Sequence, residues 1–419
     1  MLNTYVTNRM KLKSCIKSYK KGTHRAVSPE ETFARVNPKL PAAGVTRVAD
    51  ITGLDRIGIP VFSSIRPTAE GGAISVYNGK GTTAEEAKVS AMMEALERYS
   101  AEVGDRELLV DSYDGLREHE NALNPRALIL PEYVRDVEDV RIPWVNGYDL
   151  IQDEEIYVPA NAVFHPLPAH YDRVRLFRTN TNGLAGGNEL EEAIFHGLAE
   201  VIERDAWSLV EITRNTGPTV NVDGGDLRAL IDKFLNADVS VLVRDITSDI
   251  GVPTFAAVSD DTLLKNPTLL TIGMGTHTNA RVAMKRAITE VAQSRLTQIH
   301  GAREDTATGD MRRLMGYEWM RKQNEHWFAR AKSEDLDTVE SRSLDNDDFL
   351  ADIQHVLARL QAAGLERVIV VDLTRAEIGV PVVRVIVPGL EMYGVDGDRI
   401  GGRCRNARKQ RGRVSGTES

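Results

Sequence analysis

The chain has 419 residues, 42% of them hydrophobic, enough to bury a large core in one big domain or two closely packed ones. Its 61 acidic residues against 52 Lys and Arg give a net charge of -9, which argues against nucleic acid as the main partner. No apolar run reaches the ~18 residues of a membrane span, the opening MLNTYVTNRMKLKS lacks a secretory core, and Cys15 and Cys404 lie far apart with neither disulfide-framework nor metal-ligand spacing, so the cytosol is the expected compartment.

In chain order, residues 57–62 (IGIPVF) and 73–77 (AISVY) read as strands ahead of a helix over about 83–103. NGKG at 78–81 has the residues of a type I′ hairpin turn; the alternative sets Lys80 beside a phosphate. In TNTNGLAGGNELEE (179–192) the glycines permit close backbone approach, and the segment ends at a helix start whose free N–H groups suit an anion, although such loops are also ordinary caps. Residues 227–235 read as a helix before the β-branched run VSVLVRDI, 269–275 as a strand before a long helix over 280–300, and 347–363 as a helix before the strand RVIVVDL. The alternation predicts an α/β (mixed α+β) fold. The end, RCRNARKQRGR (403–413), carries six basic residues and reads as a disordered tail, with docking of an acidic partner as the alternative.

Three of the helices carry related signatures: SAMMEALERYS with Glu94, Glu97 and Arg98, HGLAEVIERDA with Glu200, Glu203 and Arg204, and AITEVAQSRL with Glu290, Gln293 and Arg295. Recurrence at about 100 residues is too long for a solenoid and suggests duplicated units whose equivalent helices face one another. Residues three apart share a helix face, so each pair of acids is a carboxylate pair among apolar neighbours. Such acids need counter-charge, which Mg²⁺ shared with phosphate oxygens supplies; two amphipathic helices with exposed Glu–Arg pairs are the plainer alternative. Arg204, Arg286 and Arg295 are guanidinium forks that could grip phosphate. There is no Walker loop, kinase signature, G-x-S-x-G or H-E-x-x-H. His196 and His277 stand singly, and His277 reads as a loop-lining or capping residue.

These stretches, with TNGLAGGNELEEAIFHGLAEVIERDA and MKRAITEVAQSRLTQIHGARED in full, resemble the three core motifs of YcaO proteins over roughly residues 20 to 402. The segments KKGTHRAVSPEETF and NGKGTTAEEAKVSAMMEALERYS resemble the archaeal, methanogenesis-associated branch, linked to thioglycine formation in methyl-coenzyme M reductase. The resemblance implies ATP and Mg²⁺ as cofactors. It implies a nucleotide-contacting arm (1–45) with Lys21 and Ser28, a catalytic core (46–402) of duplicated strand-helix units around a nucleotide site, and a tail (403–419). It places Glu94, Glu97, Glu200, Glu203 and Glu290 on the metal, and Ser90, Asn188, Glu192, Arg204, Arg286 and Gln293 on the nucleotide. The same resemblance gives the catalytic roles to Glu94, Glu200, Arg204, Arg286 and Glu290.

The chemistry implied is attack of a sulfur nucleophile on a backbone amide, phosphorylation of the resulting oxyanion by ATP, and loss of phosphate to leave a thioamide. The implied partners are a peptide or protein substrate such as the reductase α subunit, and sulfide or a TfuA-like delivery protein. A homodimer is expected, with no nucleic acid and no membrane. Azoline-forming relatives often end in a proline-rich terminus that reaches the active site. Here no proline follows Pro388, which favours thioamidation over cyclisation; cyclodehydration and a non-catalytic ATP-binding scaffold are the alternatives.

Overall fold

The computed structural model describes residues 10–171, 173–304, 308–329 and 331–415. An extended arm leads into α1 (Pro29–Val36), and β1 (Arg47–Asp50), β2 (Val61–Ile65) and β3 (Val76–Lys80) form an antiparallel meander before α2 (Ala84–Ser100). Then come β4 (Leu109–Asp111), α3 (Tyr113–Leu116), β5 (Ile142–Asp149), β6 (Glu154–Pro159), β7 (Leu184–Gly186) and α4 (Leu190–Thr213). After β8 (Thr219–Asn221), α5 (Gly225–Asn236) leads to β9 (Ser240–Asp245), β10 (Thr254–Asp260), β11 (Thr271–Thr276) and α6 (Ala280–His300). The short helices α7 (Thr308–Met315), α8 (Tyr317–Gln323) and α9 (Glu325–Phe328) precede β12 (Ser333–Asp335) and α10 (Leu336–Glu340). The chain closes with α11 (Phe349–Ala362), β13 (Ile369–Asp372), β14 (Val382–Ile386) and α12 (Gly402–Ser415).

The strands make three sheets: β1-β2-β3, β11-β10-β9-β8-β12, and β4-β5-β13-β14-β7 with β6 on β5. Pairing is antiparallel except where β12 joins β8, so the fold is the expected mixture of α and β. The predicted helices over 280–300 and 227–235 recur with ends shifted by at most two residues, and a side-chain cap fixes the start of the first, where Asn279 accepts the Val282 N–H at 3.0 Å. Thr83 caps α2 by accepting from Glu86 N at 3.2 Å.

Three differences are informative. IGIPVF is strand only from Val61; Ile57 and Ile59 are buried against α6. NGKG is no hairpin turn: Asn78, Gly79 and Lys80 continue β3, with Gly79 opposite Phe62 on β2. The segment read as a disordered tail is helical in α12. There Arg403 forks onto Asp205 with two contacts of 2.9 Å and the Cys404 side chain is fully buried.

Each signature helix lies on one sheet, and glycine sets the distance. A Cβ on Gly79 of β3 would come within 1.9 Å of Ala91 N on α2. On β11 a Cβ on Gly275 would come within 2.1 Å of Ala283 O on α6, and one on Gly273 within 2.4 Å of Ala287 O. In the third unit the glycine is on the helix, where Gly197 of α4 meets Val385 on β14. Bare backbone thus lets each of the three helices lie close on its own sheet.

Candidate active site

The three signature helices, with strands β3, β7 and β11 beside them, line a cavity of about 750 Å³. From α2 it is lined by Ser90, Glu94 and Glu97, from α4 by Glu192, Glu200, Glu203 and Arg204, from α6 by Arg286, Glu290 and Gln293, and from the turn before α4 by Asn188. The two E-x-x-E pairs and Glu290 therefore converge from three sheets on one space.

Neighbouring contacts hold the acids in place. Glu97 accepts the Gly186 N–H at 2.7 Å, Glu94 pairs with Arg98 at 3.1 Å and Glu203 with Arg204 at 3.6 Å. Lys80 reaches from β3 to the Glu290 carboxylate, so it lines the site as a counter-ion. Gln293 donates to Asn78 O at 2.9 Å.

Burial dominates the proton affinities of the acids. Burial, aided by the charge of Glu94, pushes Glu97 up to about 8; burial pushes Glu203 up to about 7. Glu200 and Glu192 are raised by the same desolvation. Glu290 is the exception: burial works against its charge, but Lys80 and Arg204 outweigh it and hold it below the ordinary value. Arg204 is raised by Glu203 and Glu200 despite burial. Carboxyl groups raised by burial would be recharged by a cation brought against them.

The donor set fits a hard cation shared with phosphate. Among the described residues no three acids, histidines or cysteines lie close enough to cage an ion alone. An ion here would take one or two carboxylates and complete its shell from phosphate oxygens and water, as Mg²⁺ does. The Arg286 side chain makes no hydrogen bond or ion pair among the described residues, and its Nε is buried without a partner, leaving a guanidinium available for an anion.

The arm closes one end. Arg25 lines the cavity, contacts His196 on α4, and lies 3.7 Å from Glu192. Glu192 also accepts Ala26 N at 3.1 Å and Asn188 Nδ2 at 3.4 Å. Burial and the neighbouring cation Arg25 keep His196 neutral, well below its usual range.

Three anticipated residues do not line the cavity. Arg295 is fully buried in an ion cluster with Asp55 at 2.8 Å and Asp261 at 3.1 Å, so it serves packing. Lys21 is exposed and gives the site only its carbonyl, which accepts from Lys285 at 3.2 Å. Ser28 caps α1, accepting Glu31 N at 3.2 Å, and the cavity wall beside it is made by Arg25, Val27 and Pro29. Arg25 carries no sequence signal of its own beyond its place between Lys21 and Ser28. His277 accepts the Asn279 N–H at 2.8 Å, as a capping residue does.

A family model described as YcaO cyclodehydratase, ATP- and Mg²⁺-binding, matches residues 78–391. A protein of Methanothermobacter thermautotrophicus is 52% identical over 389 residues, 91% of this chain and 99% of that one. A protein of the tfuA 3′ region of Rhizobium leguminosarum bv. trifolii is 33% identical, covering 88% of this chain and 89% of its own length. The structure of YcaO from Methanopyrus kandleri bound with AMPPCP and Mg²⁺ matches with a TM-score of 0.79 at 31% identity, over 93% of this chain and 98% of that one.

Proposed function

The chain belongs to the YcaO family of ATP- and Mg²⁺-binding, peptide-modifying enzymes, and on that premise we propose that it activates a backbone amide of a peptide or protein by O-phosphorylation and converts it to a thioamide with an external sulfur source. The observation that carries this reading is the convergence of five glutamates from three helices, with Arg204 and Arg286, on one cavity.

Glu94, Glu97, Glu200, Glu203 and Glu290 would supply the one or two carboxylates that each Mg²⁺ on the triphosphate takes, and Arg204 and Arg286 would take phosphate oxygens. Asn188 and Glu192, the latter tied to the arm through Ala26 and Arg25, would face the nucleoside. Bound ATP·Mg²⁺ supplies a phosphoryl group that turns the amide oxygen into a good leaving group. The protein's own residues position and neutralise, so no side-chain nucleophile is required. Both cysteines fit this: burial pushes the Cys15 thiol up to about 12 and raises Cys404 further.

Two observations favour external sulfur over intramolecular cyclisation. Residues 402–415 are folded as α12, with Arg403 bound to Asp205 of α4, rather than threaded into the cavity. The Rhizobium relative lies beside tfuA, which supports a TfuA-like delivery partner. The relative in a methanogen supports the narrower reading, thioglycine formation in the methyl-coenzyme M reductase α subunit. The test is incubation with ATP, Mg²⁺, sulfide and a glycine-containing peptide from that subunit. Replacement of one oxygen by sulfur in the peptide mass is expected. Loss of water from a Cys, Ser or Thr peptide without sulfide would establish the cyclodehydratase reading, which the family description also accommodates. ATP binding without turnover on any peptide would leave only a scaffold.

A further inference from the structure

The α4 face that lines the cavity changes character along its length. Glu192, His196, Glu200, Glu203, Trp207 and Glu211 follow one another at three- and four-residue steps, one stripe of about 28 Å at 1.5 Å per residue. Its first part meets the arm, and its middle holds the acid pair. Its last part is aromatic: Trp207 there faces Trp327 and Phe328 at the end of the α7–α9 segment, and Met320 of α8 completes the wall.

This wall is built, not incidental. Glu211 accepts both indole N–H groups, from Trp207 at 3.2 Å and from Trp327 at 3.0 Å. Trp207 lies against the bare backbone of Gly394, where a Cβ would come within 2.8 Å of its ring, and the Arg204 guanidinium lies 5.7 Å from that ring. Arg321 stacks on Phe328 at 3.9 Å and is itself anchored to Asp260 at 2.8 Å. Rigid aromatics with satisfied polar edges are suited to an apolar ligand group, whereas the polar end suits a nucleotide.

We propose that the aromatic end of the cavity, formed by Trp207, Trp327, Phe328 and Met320, is the seat of the substrate peptide, receiving an apolar side chain that flanks the reacting amide. Arg204 marks the boundary: it pairs with Glu203 on one side and covers Trp207 on the other. An amide anchored at the wall is thereby carried to the acids. The seat deepens the functional reading above and rests on it for the identity of the ligand as a peptide.

The test is binding without chemistry. The full-length protein, saturated with a non-hydrolysable ATP analogue and Mg²⁺, is titrated calorimetrically with a short peptide whose central glycine lies between leucines, and with the same peptide bearing serines there. The leucine peptide should bind about tenfold tighter, the size of one well-buried anchor. Phe328→Ala and Met320→Gln should each remove most of that preference while nucleotide-induced thermal stabilisation stays unchanged, which also reports that they fold. Equal affinity for the two peptides, unchanged preference in both variants, or loss of nucleotide stabilisation in both would overturn the assignment. Peptide bound at the wall but never modified would leave the seat standing and sink only the thioamidation reading.

Discussion

The Glu97 carboxylate on α2 accepts the backbone N–H of Gly186 on β7 at 2.7 Å, so a residue of the first signature helix is fixed by the strand that leads into the second. That bond favours the charged form, yet burial and the charge of Glu94 outweigh it and leave Glu97 near 8, against 4.5 for an ordinary glutamate. A group whose folded value lies above its unfolded value contributes stability at low pH, and the contribution is lost as pH rises through the folded value. Without ligand, the protein should therefore lose thermal stability between pH 5 and 8, and Glu97→Gln should flatten the decline. Cation binding must displace the proton, so Mg²⁺·ATP affinity should rise across about pH 6 to 9, with proton release measurable by calorimetry in buffers of different ionisation enthalpy. An affinity independent of pH would remove Glu97 and Glu203 from the ligand set.

Glu200→Gln combined with Glu203→Gln removes two charges from the centre of the α4 stripe while keeping its shape. Wild-type protein at 100-fold excess over Kd should gain about 2.7 kcal/mol from ATP·Mg²⁺, visible as a rise of a few degrees in Tm. The double variant should show none of that gain and no loss of stability without ligand, because neutral amides are cheaper to bury than crowded carboxylates. Undiminished stabilisation would mean that nucleotide binds away from these acids.

What was legible in the sequence was local. The pairing of Glu94 with Glu97 and of Glu200 with Glu203 follows from helix periodicity alone, and three related helices implied one shared site. What was hidden depends on distant partners. Asn78-Gly79 carries the local signature of a turn, but the backbone of α2 at Ala91 requires glycine in the strand. Arg403 lies in a basic run with no apolar period, and its partners Asp205 and Asp249 are more than 150 residues away. Arg295 repeats the arginine of the first two signatures at a shifted position, and that shift turns it toward Asp55 and Asp261 in the core rather than toward the cavity.

Gly275→Ala tests whether close strand-helix contact sets the site. Its Cβ would press on Ala283 O and Ala287 N of α6, at 2.1 and 2.8 Å, and backbone atoms cannot rotate aside. Displacing α6 should cost about 1–3 kcal/mol in urea unfolding and lower ATP turnover, since Glu290 and Arg286 ride on that helix. Gly397→Ala, with nothing within 4 Å of the new Cβ, should change neither quantity.

The C-terminal helix should matter through Asp205, the neighbour of Arg204. Burial raises the proton affinity of Asp205 even though Arg403 opposes the shift with two contacts of 2.9 Å. Asp205 also accepts Glu391 N at 3.0 Å, and Glu391 in turn accepts Gly401 N and Cys404 N at the start of α12, at 2.7 and 2.8 Å. Among the described residues, Arg403→Ala leaves the fully buried Asp205 carboxylate with only a backbone partner, a change expected to cost about 3–5 kcal/mol in chemical unfolding. Arg403→Lys should recover part of this, because an ammonium cannot reproduce the forked contact. The damage in Arg403→Ala should shrink as pH falls, since protonating Asp205 removes the unpaired charge. Arg405→Ala provides the contrast: its side chain is exposed and, among the described residues, donates only to Ile400 O at 2.6 Å. If both alanine variants unfold like wild type, α12 is merely appended to α4, and its docking contributes nothing to the placement of Arg204.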